Sequence, residues 1–108
     1  MDIFEAQERV ARLNAAIRGR PLEDRDSMGL VTHLAEEVAE LRDALTFEGD
    51  QGIRDELADV LILLLALSEA EGKDLDAAFQ FKMKKNEKRT WQEPDGKGVI
   101  RHENDASC

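Results

Sequence analysis

The stretch Glu56–Leu67 limits the possible folds most sharply. From Ala58 to Leu67 every residue is aliphatic except Asp59. That run is far short of the roughly 18 residues a membrane span requires, so nearly every side of this helix calls for cover by a core or an interface. The stretch also carries two acids, Glu56 and Asp59. Burying an isolated carboxylate costs several kcal/mol or forces it to protonate, so such groups take a cation or a hydrogen-bonding partner. The sequence therefore predicts a bound metal beside this helix.

At 108 residues the chain is long enough for one core and too short for two. Its 36% charged residues and the lack of a long apolar segment argue against a membrane protein. A net charge of −9 excludes the basic surface that nucleic acids and anionic lipids require, so no nucleic acid and no membrane are expected as partners. The average hides a basic segment, Lys82, Lys84, Lys85, Lys88 and Arg89, interrupted only by Glu87 among the acids. An acidic metal site with a basic segment suits a small, metal-bound, polyanionic ligand. Met1–Glu5 has early acids and no basic stretch leading into an apolar one, so no secretory signal is read there and a cytoplasmic location is expected. Cys108 is the single cysteine, which leaves neither an intrachain disulfide nor a cysteine zinc site.

Apolar spacing predicts four helices and no strand. Ile3, Ala6, Val10, Leu13 and Ile17 recur at threes and fours over about Asp2–Arg18. Gly19 and Pro21 end that helix, and residues 19–26 form a polar loop. Asp26 or Ser27 caps a second helix to about Phe47, with Leu30, Leu34, Leu41 and Leu45 inward. Gly49 stops it, Asp50 caps a third that lasts to Gly72, and Asp74 caps a fourth running to Arg89 or Thr90. The tail Gln92–Cys108, with Pro94, Gly96 and Gly98, reads as irregular or disordered. The expected organisation is a helical domain, 1–91, and that tail, 92–108.

Residues three or four apart share a helix side, so Glu37 projects with Glu40, and Glu56 with Asp59. Glu37 stands where the row Leu30, Leu34, Leu41 calls for a hydrophobe, and Asp59 heads a row through Leu63 and Ala66 that faces inward. The short connection at Glu48–Gln51 makes the two helices antiparallel neighbours, so all four carboxylates can converge. Oxygen-only ligation favours Mg2+, or Mn2+, over zinc. Iron bundles of the Glu-x-x-His kind are disfavoured because His33 and His102 stand in no such motif.

The string Glu36, Glu37, Val38, Ala39, Glu40, followed by Glu56, Leu57, Ala58, Asp59, resembles the EExxE and ExxD signature of the MazG-like all-α nucleoside triphosphate pyrophosphohydrolases. Lys82, Met83, Asn86 and Arg89 are similar to the Lys-Met-x-x-Asn-x-x-Arg segment of the dCTP pyrophosphatase-like members, and the likeness covers about Leu30–Trp91. It implies a MazG-like four-helix bundle that hydrolyses nucleoside triphosphates to monophosphate and pyrophosphate and assembles as a homodimer or homotetramer. On that resemblance Glu37, Glu40, Glu56 and Asp59 ligate metal, and Glu36 orients or deprotonates the attacking water. Lys82, Asn86 and Arg89 meet phosphate or sugar, chemistry that suits them. Lys85 either joins them or simply complements the helix dipole. Trp91 either stacks on a base or packs against protein, and His33 either approaches the nucleotide or sits at the core edge.

Nucleotide-pool housecleaning is the expected role. The alternative from a different class is a non-catalytic helical module that binds a nucleotide or a protein partner through its apolar third helix.

Overall fold

A computed structural model describes residues 1–19, 27–89, 91 and 100. All of the expected 19–26 loop except Gly19, with the cap candidate Asp26, Thr90 and nearly all of the tail, lies outside the described residues. The fold is all-α, with helices α1 (Ile3–Arg18), α2 (Ser27–Phe47), α3 (Asp50–Ala70) and α4 (Leu75–Glu87). Two compact units are present, Met1–Asp76 and Ala77–Cys108. No helix among the described residues is long and apolar enough to cross a membrane.

In the first unit α3 packs against both α1 and α2. The core is small: Val10 of α1, Leu30 of α2, and Leu63, Leu65 and Ala66 of α3, with Ile3, Ala6, Leu34, Leu67 and Leu75 against it. Leu30 is fully enclosed, worth about 2 kcal/mol for a side chain of its size. Only Glu48 and Gly49 separate α2 from α3, which makes them antiparallel neighbours. Fully buried Ala44 faces the core near this turn, whereas the expected Leu45 is exposed. The small side chain lets the helices approach closely where they are joined.

Other expectations shift in similar ways. The buried row of α1 runs Ile3, Gln7, Val10, Asn14, so Leu13 and Ile17 point to solvent. Asp2 caps α1, accepting the Glu5 amide at 2.8 Å. Gly19 closes it with φ 71°, a left-handed conformation that suits glycine. At α3 the N-cap is Gly49, not Asp50; Asp50 lies inside the first turn, 2.8 Å from Arg54. The end of α3 is a Schellman turn: Gly72 at φ 66°, its amide on Glu69 O, and the Lys73 amide on Ser68 O. Helix α4 stops two residues before Arg89, and the Lys88 and Arg89 amides close a tighter turn onto Lys85 O and Asn86 O.

Gln7, 4% exposed, fastens the turn between α3 and α4 to α1. Its Nε2 donates to Glu69 Oε1 and Lys73 O, and its Oε1 accepts the Leu75 amide at 3.0 Å. Asp76 accepts the Phe4 amide, one of the orphan donors at the start of α1.

Helix α3 is less enclosed than its composition demands. Leu57, Leu61, Ile62 and Leu64 are all exposed in the single chain. Together with Met1, Ala6, Arg9, Val10, Leu13 and Leu65, residues Leu61 and Ile62 line a groove of about 570 Å³ between α1 and α3.

Candidate metal and nucleotide site

The acids expected to act together come from facing helices, and three of them meet. Glu37, Glu56 and Asp59 each offer a carboxylate oxygen within 4.8 Å of the other two. The i,i+3 spacing puts Glu56 and Asp59 on one side of α3, and the short turn brings Glu37 of α2 opposite them. Glu37 is only 15% exposed at its side chain, as its place in an apolar row requires. Asp59 is exposed, against the expectation that both acids of α3 have little water nearby, because the α3 face beside it is open.

Two oxygens stand out. Glu37 Oε2 and Glu56 Oε2 are buried and have no hydrogen-bond partner among the described residues. Orphaned buried carboxylate oxygens are costly unless a cation or proton compensates them. The protein alone resorts to the proton: burial, then the neighbouring Glu37, Glu40 and Asp59 carboxylates, push Glu56 up to about 7. Glu40 is exposed and outside the close trio, yet the charge of Glu37 raises its pKa above the ordinary carboxylate value, with Asp59 adding to the effect. An all-carboxylate donor set with unpartnered buried oxygens fits a hard divalent cation.

Glu36 is exposed on α2, one residue before the cluster. His33 lies one turn before Glu37, its Nε2 3.3 Å from Glu37 Oε1. His33, Glu37 and Asp59 open into a hollow of about 230 Å³ that Asn14, Ile62, Leu63 and Ala66 also line. A second hollow, about 310 Å³, is lined by Glu40, Asp43, Phe47, Glu48 and Glu56. Gly52 accommodates Glu48 there: a Cβ at Gly52 would stand 2.9 Å from Glu48 Cβ and 3.0 Å from its Oε2.

Asn14, Asp43, Phe47 and Glu48 were not singled out from the sequence. Asn14 had a usable signal, since it follows Val10 by four residues and is polar on a buried row. Asp43 and Glu48 had none, being two of many acids on helix surfaces.

The other expected site residues belong to the second unit. Lys82, Asn86 and Arg89 recur at four and three along α4 and the turn after it, all half-buried, while Lys85 is exposed. Arg89 Nη1 donates to Asn86 Oδ1 at 3.1 Å, and the Trp91 indole N–H donates to Asn86 O at 3.0 Å. Trp91 is thus tied to the last turn of α4, and the residue is 42% exposed.

Residues 25–92 match the family model of the MazG nucleotide pyrophosphohydrolase domain. Among solved structures, the chain is similar to the cyanophage S-2L MazG-like pyrophosphohydrolase bound to dGDP and three catalytic Mn2+ ions per active site. The two share 29% identity with a TM-score of 0.73, over 94% of this chain and 93% of that one. No curated protein matches.

Proposed function

The chain belongs to the MazG nucleotide pyrophosphohydrolase family, and we propose that it hydrolyses nucleoside triphosphates, ribo or deoxy, to the monophosphate and pyrophosphate at the Glu37, Glu56, Asp59 cluster. The observation that carries this reading is the pair of buried, unpartnered oxygens on Glu37 and Glu56 within a three-carboxylate group. The similar phage enzyme, with nucleotide and Mn2+ bound, supports it.

In this reading Glu37, Glu56 and Asp59 hold divalent metal, and Glu40 completes the set from the helix surface. Mg2+ is the working cation, with Mn2+ able to replace it. When bound, the metal offsets triphosphate charge and makes water a better nucleophile at neutral pH. Glu36 takes the proton of the attacking water as its oxygen bonds to the α-phosphorus. The bond from that phosphorus to the bridging oxygen breaks, and pyrophosphate leaves. Lys82, Lys85 and Arg89 are assigned to the phosphates, as cations that neutralise developing charge. Asn86 is assigned to sugar, His33 to the nucleotide near the acids, and Trp91 to stacking on the base.

The helical part, 1–91, carries this activity, and 92–108 is a separate tail. The exposed apolar residues of α3 favour a homodimer or homotetramer. Nucleic acid is no partner, the location is cytoplasmic, and the role is housecleaning of the nucleotide pool.

The test is incubation with each nucleoside triphosphate and Mg2+ or Mn2+. Monophosphate plus pyrophosphate is expected. Orthophosphate, or no turnover with any of them, overturns the assignment.

A further inference from the structure

The first helix carries two amide side chains on one buried row, Gln7 and Asn14, and they have different fates. Gln7 spends both ends of its amide inside the protein, on Glu69, Lys73 and Leu75. Asn14 spends one N–H on Val10 O at 3.0 Å. Its Oδ1 and its second N–H have no partner among the described residues, although the residue is half-buried. Asparagine is a poorer helix former than leucine, and one turn earlier the same row carries buried Val10.

The free part of that amide lies in the hollow shared with Glu37 and Asp59. Opposite polar Asn14 and His33, the lining is aliphatic: Ile62, Leu63 and Ala66. Among the described residues no lysine or arginine lines the hollow, so they offer an anionic group nothing beyond what the acid cluster binds. An uncharged flat ring fits better, with one face on aliphatic carbon and its edge toward the amide. A planar amide offering an acceptor and a donor matches a ring edge that carries both, as nucleobase edges do. A sugar hydroxyl would satisfy only one of them at a time.

We propose that Asn14 is a specificity-determining residue that reads the edge of the substrate's nucleobase in this hollow. The assignment rests on the nucleotide hydrolysis proposed above. It adds the N-terminal helix, which supplies no member of the acid cluster, to the recognition of substrate. His33 shares the hollow but is engaged with Glu37, which leaves Asn14 as the amide free to discriminate.

The experiment compares the whole protein with Asn14→Leu and Asn14→Ala. Each is assayed on triphosphates of the four bases, on base-free ribose 5-triphosphate, and by calorimetry for Mn2+ alone and for non-hydrolysable α,β-imido nucleotides. The spread of kcat/KM among bases should contract about tenfold in both variants, as expected for losing a paired amide contact. The ranking of imido-nucleotide affinities should flatten with it, while base-free turnover and Mn2+ affinity stay unchanged. An equal fall on all substrates, base-free included, or an unaltered base ranking overturns the proposal. Should the wild-type protein hydrolyse no triphosphate, the hydrolase reading fails first. The imido-nucleotide ranking then decides Asn14 separately: flattening in the variants keeps it as a base reader, and an unchanged ranking removes it.

Discussion

Helix α3 has two unfinished faces, and they are unfinished in different ways. Toward α2 it presents Glu56 and Asp59 to Glu37, and the buried Oε2 atoms of Glu37 and Glu56 have no hydrogen-bond partner among the described residues. Toward the α1 groove it presents Leu61 and Ile62, apolar carbon left exposed among the described residues. The first deficit is concentrated in a few charged atoms and invites one small cation. The second is spread over many carbons, each costing little, and calls for a broad apolar cover. A single helix can therefore serve chemistry on one side and assembly on the other, and the kind of incompleteness distinguishes the two.

The largest effect should come from the charged face. Glu37→Gln and Glu56→Gln should each reduce turnover more than about a hundredfold, beyond what is typical for residues that merely support metal ligands. The metal-free melting temperature should hold or rise, because like-charge repulsion is relieved. A drop in both activity and melting temperature would make these acids structural, and the contrast between the faces would disappear.

On the apolar face, Leu61→Glu should shift the protein from oligomer to monomer by light scattering. Mn2+ affinity should change by less than about threefold, since that residue lies outside the acid trio. A wild-type protein that is monomeric at every concentration would break this half of the comparison.

Acidity gives a third, smaller signature. Glu56 keeps its proton to about pH 7 when folded, against 4.5 for the ordinary side chain. Between those values the folded state binds more protons than the unfolded one, so stability falls as pH rises. Without metal, this contribution is fully present below about pH 4.5 and is lost as pH passes about 7. The slope should be visible in denaturation at successive pH values and absent in Glu56→Gln. Excess Mn2+ should reverse it, since binding requires the carboxylate.

The smallest effect belongs to an acid of the same helix outside both faces. Asp50 is exposed and pairs with Arg54 across one turn, so Asp50→Ala should alter stability by no more than about 0.5 kcal/mol by urea denaturation. A loss near 1 kcal/mol would restore it as a helix cap.

How far these features could be read beforehand depended on the kind of information each residue carries. Helix number and boundaries followed from apolar spacing and from Gly19, Gly49 and Gly72, which mark ends by backbone freedom. The facing of Glu37 toward Glu56 and Asp59 was accessible because i,i+3 spacing and a short turn leave little geometric choice. Which of two adjacent residues turns inward was not. Leu45 outranks Ala44 in hydrophobicity, yet close helix approach selects the smaller. On α1 the rows through Leu13 and through Asn14 differ by one residue, about 100° of helix rotation, and hydrophobicity favours the wrong one. The polar residues of that row are legible by position, as Asn14 is by its spacing from Val10, but their roles lie in partners, three for Gln7 and an open pocket for Asn14, which a single sequence does not display.

The Gln7 contacts bear on how the protein is handled. One amide, together with Asp76 on the Phe4 amide, secures the opening turns of α1 to the Gly72 corner. An affinity tag or deletion that unseats Asp2–Gln7 would therefore strip the α3–α4 corner of its fastening, far away in sequence from the altered end. Purification handles belong at the other terminus.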